Sequence, residues 1–154
     1  MISIRTANTD DKDALSELYT ELEKDGVLYQ PEHFIISEKG SRIFDAMFDS
    51  EDQRMIVAED EGEVIGFIHV KLFMAKDIPC LKPQKNLYIC DLVVNGKCRS
   101  KGVGTMLMDA AKEYGKDNGA EFVRTQVFPM NKSGLRFYAR NGFSEKMITI
   151  ECPL

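Results

Sequence analysis

The sequence predicts a mixed α/β protein, a single sheet with helices packed against it. Three observations predict it. Residues 55–73 read as two strands joined by the Glu61-Gly62 turn. The apolar run Leu87–Val94 reads as a strong strand. An amphipathic helix follows it after a glycine-containing turn, with Val103, Met106, Leu107, Ala110, Ala111 and Tyr114 at helical spacing.

The elements follow in order. Ile2-Ser3-Ile4-Arg5 alternates like a half-buried strand. Thr9 before Asp10, Asp11 and Asp13 marks a helix start, because a hydroxyl and acids satisfy the free N–H groups there. Leu15, Leu18, Tyr19 and Leu22 carry that helix to about Lys24, and Gly26 is expected to break it. Residues 26–36 read as irregular. A second helix is expected from Ser37 to Met47, with Ile43, Phe44, Met47 and Phe48 inward. The hairpin pairs Met55–Ala58 with Val64–Phe73, and residues 74–86, with two prolines, read as a loop. After Leu87–Val94 come a helix from Gly102 to about Lys116, a strand Phe122–Phe128, a short helix over 133–140 and a last strand over 145–152.

The 154 residues suit one domain, 1–154, with 44% hydrophobic and 29% charged residues. That composition excludes disorder and fibrous classes. The net charge of −5 argues against a nucleic-acid partner and mildly favours a cationic one. No run approaches the ~18 apolar residues of a membrane span. The four cysteines, at 80, 90, 98 and 152, form no C-x-x-C pair, so no metal site is expected. With no signal-like apolar core in Met1–Asp10, reduced thiols in a cytoplasm are expected.

The chemistry concentrates after Leu87–Val94. Lys97, Arg99 and Lys101 stand in a stretch, residues 95–108, that holds no acid. The docked helix points the free N–H groups of its first turn at one spot, an arrangement that binds phosphate. Gly102 and Gly104 are expected to let a ligand approach the backbone. A P-loop is excluded, because no Gly-Lys-Ser/Thr follows. A dinucleotide fingerprint is excluded too: Met106 and Leu107 stand where a third glycine is needed.

What remains is Arg99-Ser100-Lys101-Gly102-Val103-Gly104 directly after a strand. This R-x-x-G-x-G loop resembles the pyrophosphate loop of the GNAT N-acetyltransferase superfamily. Val127, Asn131 and Leu135-Arg-Phe-Tyr138-Ala-Arg-Asn-Gly-Phe143 resemble its usual downstream companions, and Glu63-Val-Ile-Gly66-Phe-Ile its hairpin. The resemblance covers nearly the whole chain.

It implies a mostly antiparallel central sheet with one splayed parallel strand pair and helices on both faces. The splayed strands would be Leu87–Val94 and Phe122–Phe128, with acetyl-CoA between them. The cofactor arm would pair with the backbone of Leu92, Val93 and Val94. The pyrophosphate would lie on the N–H groups of Arg99, Ser100, Lys101, Gly102, Val103, Gly104 and Thr105. Asn131 would reach the cofactor arm or hold the splay open. Tyr138 would protonate the leaving thiolate. A strand N–H near Leu92 or Val93 would steady the oxyanion.

The acceptor, a primary amine of a small molecule or peptide, must first lose a proton. Cys90 stands where many members of the family place Glu. Asp91 is next along, but adjacent strand residues face opposite sides, so it needs a bulge to take over. Water relayed to Asp91, Glu23 or a carbonyl is the alternative. The resemblance places the acceptor pocket at the N-terminal helices, with Tyr29, His33 and Phe34 as contacts. Arg42 would be essential if an acceptor carboxylate were recognised.

Structural roles compete for several of these residues. Asn131 equally suits a helix cap, and Tyr138 a packed ring. Gly142 with Phe143 reads as a helix C-cap. His69 reads as structural, Cys90 as a small buried hydrophobe, and the acids over 45–63 as a solvated surface. A non-catalytic acyl-CoA-binding domain on the same fold is the alternative function. The resemblance also implies a homodimer, with Met147–Cys152 pairing across a two-fold axis.

Overall fold

The computed structural model describes all 154 residues. Five strands form one sheet in the order β1-β2-β3-β4-β5. They are β1 (Ile2–Thr6), β2 (Gln53–Asp60), β3 (Glu63–Ala75), β4 (Gln84–Val94) and β5 (Phe122–Arg124). Neighbours are antiparallel except β4 and β5, which run parallel. The helices are α1 (Lys12–Tyr29), α2 (Asp45–Phe48), α3 (Val103–Asp117) and α4 (Lys132–Arg140).

Strand alternation divides the core between the two faces. Ile56, Ile68, Val70, Leu87 and Ile89 pack under Val103, Leu107, Met108 and Ala111 of α3. Met55, Val57, Phe67 and Val93 pack under Leu15, Leu18 and Tyr19 of α1, with Phe44 beside them. Met106 is exposed and Met108 takes the buried place, so the face of α3 that docks is rotated from the expected one.

The chain enters α1 through a 3-10 turn, Thr9–Asp11, whose cap lies one residue earlier than expected; α1 itself has no side-chain cap. Asn8, not Thr9, accepts from the Asp10 N–H at 2.8 Å, and Asp11 accepts from the Asn8 N–H, completing a capping box. Gly26 does not end the helix, which continues to Tyr29. It makes room instead: a Cβ there would meet the Phe34 ring at 3.0 Å.

Residues 37–44 are not helical, and α2 is one turn only. Glu23 holds this stretch by accepting from the Ser37 N–H and hydroxyl, and Ile43 faces solvent although Phe44 is buried. The hairpin is longer than expected at both ends, so only residues 76–83 remain as loop between β3 and β4. β5 stops at Arg124 rather than Phe128. Residues 145–152, expected as a strand, pair with nothing in the chain.

Candidate active site

The β3–β4 ladder slips by one residue. His69 faces Asp91 while Val70 faces Ile89, so Cys90 is the extra residue of a β-bulge. Cys90 is exposed rather than buried. The bulge turns Asp91 inward, where its Oδ2 accepts from the Tyr19 hydroxyl at 2.8 Å. His69 Nδ1 lies 3.6 Å from the same oxygen. That nitrogen is buried with no hydrogen-bond partner, while His69 Nε2 contacts Gln53 Oε1 at 2.8 Å.

These neighbours shift one another. Burial lowers the His69 pKa, but the neighbouring Asp91 carboxylate and Cys90 outweigh it and raise the value to about 9. Burial, then the charge of Asp91, holds Tyr19 well above its ordinary range, so its hydroxyl stays a donor. The Arg42 guanidinium stacks over the Tyr19 ring at 3.8 Å. Glu23 is occupied by Ser37, with Arg42 at 3.8 Å.

The parallel pair closes over only three positions, Asn86–Phe122, Leu87–Val123 and Tyr88–Arg124. The Thr125 hydroxyl then donates to the Ile89 carbonyl at 3.0 Å and ends the ladder. From Ile89 to Val94, β4 has no strand partner on that side. The Asn95 N–H bonds the Ile65 carbonyl of β3. Alternation in an antiparallel ladder therefore turns Val93 toward β3, and Leu92 and Val94 toward the split. The Val94 carbonyl is held by Arg99 Nε at 3.1 Å.

Beyond the split, a 3-10 turn at Gly96–Cys98 leads to the α3 N-terminus. The backbone N–H groups of residues 99–105 donate to nothing within the chain, and α3 has no side-chain cap. Ser100 and Gly102 take left-handed conformations, φ 67° and 79°, that bend this run of donors. Seven free donors at a helix N-terminus, beside Lys97, Arg99 and Lys101, fit a pyrophosphate. Gly102 has open space where a Cβ would stand. Gly104 instead admits the Phe137 ring, 3.1 Å from that position, so it serves helix packing rather than ligand approach.

Tyr138 is placed by the end of α4. The Gly142 N–H bonds the Ala139 carbonyl and the Phe143 N–H bonds the Tyr138 carbonyl, a Schellman motif. Burial raises the Tyr138 pKa to about 12. Asn131 caps α4, accepting from the Gly134 N–H at 2.9 Å, and its side-chain amide is left free to donate.

The sequence-derived acceptor residues only partly converge. Tyr29 and Phe34 meet around Phe128, at ring distances of 5.7 and 5.5 Å. His33 is exposed and pairs with Glu151 at 2.8 Å. No grouping of residues suits a metal ion. No helix is long and apolar enough to cross a membrane.

The model of the Acetyltransferase (GNAT) family matches residues 13–143, which hold the parallel strand pair and the free N–H run. The chain belongs to the GNAT acetyltransferase family. YhfO of Bacillus subtilis, an uncharacterized N-acetyltransferase, is 29% identical over 146 residues, 94% of this chain and 91% of its own. A mutant of the BH1408 protein from Bacillus halodurans superposes with a TM-score of 0.92, at 25% identity over 99% of both chains. AAC(6')-Iy, solved with the bisubstrate analog CoA-S-monomethyl-acetylneamine, has a TM-score of 0.77 over 100% of this chain and 98% of its own. At 17% identity that likeness is one of fold.

In this GNAT acetyltransferase, two residues of the Asp91 cluster were not legible as functional. Tyr19 read as a helix core residue and His69 as a structural strand residue. Neither carries a motif; the long-range pairing of α1, β3 and β4 brings them to Asp91.

Proposed function

We propose that this acetyltransferase moves an acetyl group from acetyl-CoA to a primary amine of a small molecule or peptide by direct attack. The observation that carries this is unbonded backbone on either side of one turn: Leu92 and the Val94 N–H at the split, and the N–H groups of residues 99–105 beyond it. Acetyl-CoA, when bound, supplies the thioester carbonyl and the thiolate leaving group.

The chain's own residues do the rest. Leu92 and Val94 offer the cofactor arm a strand edge. The residue 99–105 donors hold the pyrophosphate. The Leu92 N–H stabilises the negative charge that develops on the carbonyl oxygen. Asp91 takes the ammonium proton through Oδ1, since Oδ2 is engaged by Tyr19 and faces His69. Tyr138 stays protonated at neutral pH and donates to the leaving sulfur. The free Asn131 amide contacts the cofactor arm.

Tyr29, His33 and Phe34 border the acceptor, and the chain's acidic balance favours a cationic one. All 154 residues act as one domain, and four unpaired cysteines suit a reducing cytoplasm. We also read the enzyme as a homodimer.

Thiol release across a panel of primary amines tests the reading, with wild type, Asp91→Asn and Tyr138→Phe compared. Turnover that falls in both variants while acetyl-CoA binding persists supports it. Tight cofactor binding with no turnover on any amine favours the non-catalytic acyl-CoA-binding reading, which the absence of an acid at Cys90 motivates.

A further inference from the structure

His69 is the one buried histidine of the chain, 5% exposed, and burying a polar ring is costly unless it is partnered. Strand pairing sets its place. His69 stands opposite Met55 on β2 and Asp91 on β4, and residues directly opposite in a sheet share a face. Phe67, two residues back along β3, packs on Tyr19 of α1 from that same face. The imidazole thus lies in the layer beneath α1, beside the carboxylate that Tyr19 bonds.

Its two ring nitrogens have different surroundings. Gln53, two residues from Met55 and so on the same face of β2, brings its Oε1 to 2.8 Å from Nε2. That oxygen can only accept, so Nε2 carries a hydrogen and the ring is fixed. Nδ1 is left buried with no hydrogen bond, 3.6 Å from Asp91 Oδ2. The gap is just beyond a hydrogen bond, and a small turn of either side chain closes it. A histidine that served packing alone would gain nothing from an orphaned nitrogen beside a carboxylate. Tyr19 and His69 both stand at Oδ2, and no donor of the chain bonds Oδ1.

We propose that His69 is a positioning residue for Asp91: its ring, fixed by Gln53, shares Oδ2 with the Tyr19 hydroxyl, so the carboxylate cannot rotate and presents Oδ1 to the acceptor amine. The proton that leaves the ammonium goes to Oδ1, and His69 keeps its own. This rests on the reading of Asp91 as the base. The titratable groups facing the ring are Asp91 and Cys90 of β4. Tyr19 of α1 meets the same carboxylate, and β2 supplies the neutral Gln53. Among them the imidazole stays protonated at neutral pH, which makes Nδ1 a donor facing Oδ2.

Imidazole NMR and steady-state kinetics on the full-length protein test it. The chain has two histidines, so His33→Asn assigns the signals. His69 is expected to titrate near pH 9 in wild type and well below that in Asp91→Asn. His69→Leu is expected to lower kcat by about 10-fold or more while KM for acetyl-CoA holds. In the Asp91→Asn background the same substitution is expected to add almost nothing, because its effect passes through Asp91. His69→Gln, which restores a donor, is expected to recover part of the loss. An unchanged kcat in His69→Leu, equal losses with and without Asp91, or a His69 titration indifferent to Asp91→Asn would each overturn the proposal. Should His69→Leu not fold, His69→Gln and the titration decide it. Turnover that survives Asp91→Asn would instead overturn the base reading, and the proposal with it. The titration is read without turnover, which keeps the two failures apart.

Discussion

The Tyr19 hydroxyl donates to Asp91 at 2.8 Å, joining a buried residue of α1 to the bulge of β4. The bond fixes one carboxylate oxygen, Oδ2, and leaves Oδ1 outside it. Asp91→Asn is expected to lower kcat by about 10²–10⁴-fold, the usual size of general-base catalysis. Acetyl-CoA affinity, read by calorimetry, is expected to stay at the wild-type value. Tyr19→Phe removes the hydroxyl that positions Asp91 and is expected to lower kcat while acetyl-CoA affinity stays at the wild-type value. An unchanged kcat would show that this bond does not serve Asp91.

Tyr138 is fixed by Phe143, whose N–H bonds its carbonyl at 3.0 Å and whose ring meets it edge-on at 5.2 Å. Tyr138→Phe keeps that packing and removes only the proton donor. Single-turnover kinetics are expected to show chemistry slowed by about 10²-fold or more, with stability nearly unchanged. With its pKa at about 12, Tyr138 adds no alkaline limb to the wild-type profile below pH ~11.

The strand-loop-helix unit from Leu87 to Tyr114 was legible because periodicity and punctuation agree there: an apolar run, two glycines, then a docked helical stripe. The bulge at Cys90 was not, since neither glycine nor proline marks it and only pairing with β3 reveals the slip. Of the helix expected over 37–47 only the turn Asp45–Phe48 forms; Glu23 ties Ser37 to α1 instead, a long-range contact that no local pattern encodes. Gly26 is a similar case: its role is space for Phe34.

Gly102 and Gly104 are expected to fail differently. Gly102→Ala meets no atoms but must hold φ 79°, at a cost of about 1–2 kcal/mol. Gly104→Val drives its side chain into Phe137 and is expected to cost about 1–3 kcal/mol by overpacking. Chemical denaturation measures both. Phe137→Ala is expected to recover part of the Gly104→Val loss and none of the Gly102→Ala loss.

His69 links stability to pH. Its folded pKa is raised from 6.5 to about 9, so its contribution is complete below pH 6.5 and disappears as pH rises through 9. The full effect is on the order of 3 kcal/mol at most, at ~1.4 kcal/mol per pKa unit. Wild-type Tm is expected to fall across that window. The fall is expected to be smaller in His69→Asn, and a parallel curve would show that His69 is not the linked group.

The proposed cofactor site joins the split beside Leu92–Val94 to the donors of residues 99–105. Calorimetric titration of the wild-type protein with acetyl-CoA, with adenosine diphosphate as control, tests it most directly. Micromolar binding of acetyl-CoA, weaker binding of the diphosphate, and loss of both when Gly102 is replaced by a bulky residue in a folded protein are expected. A folded wild type that takes up no acetyl-CoA at millimolar concentration would contradict it.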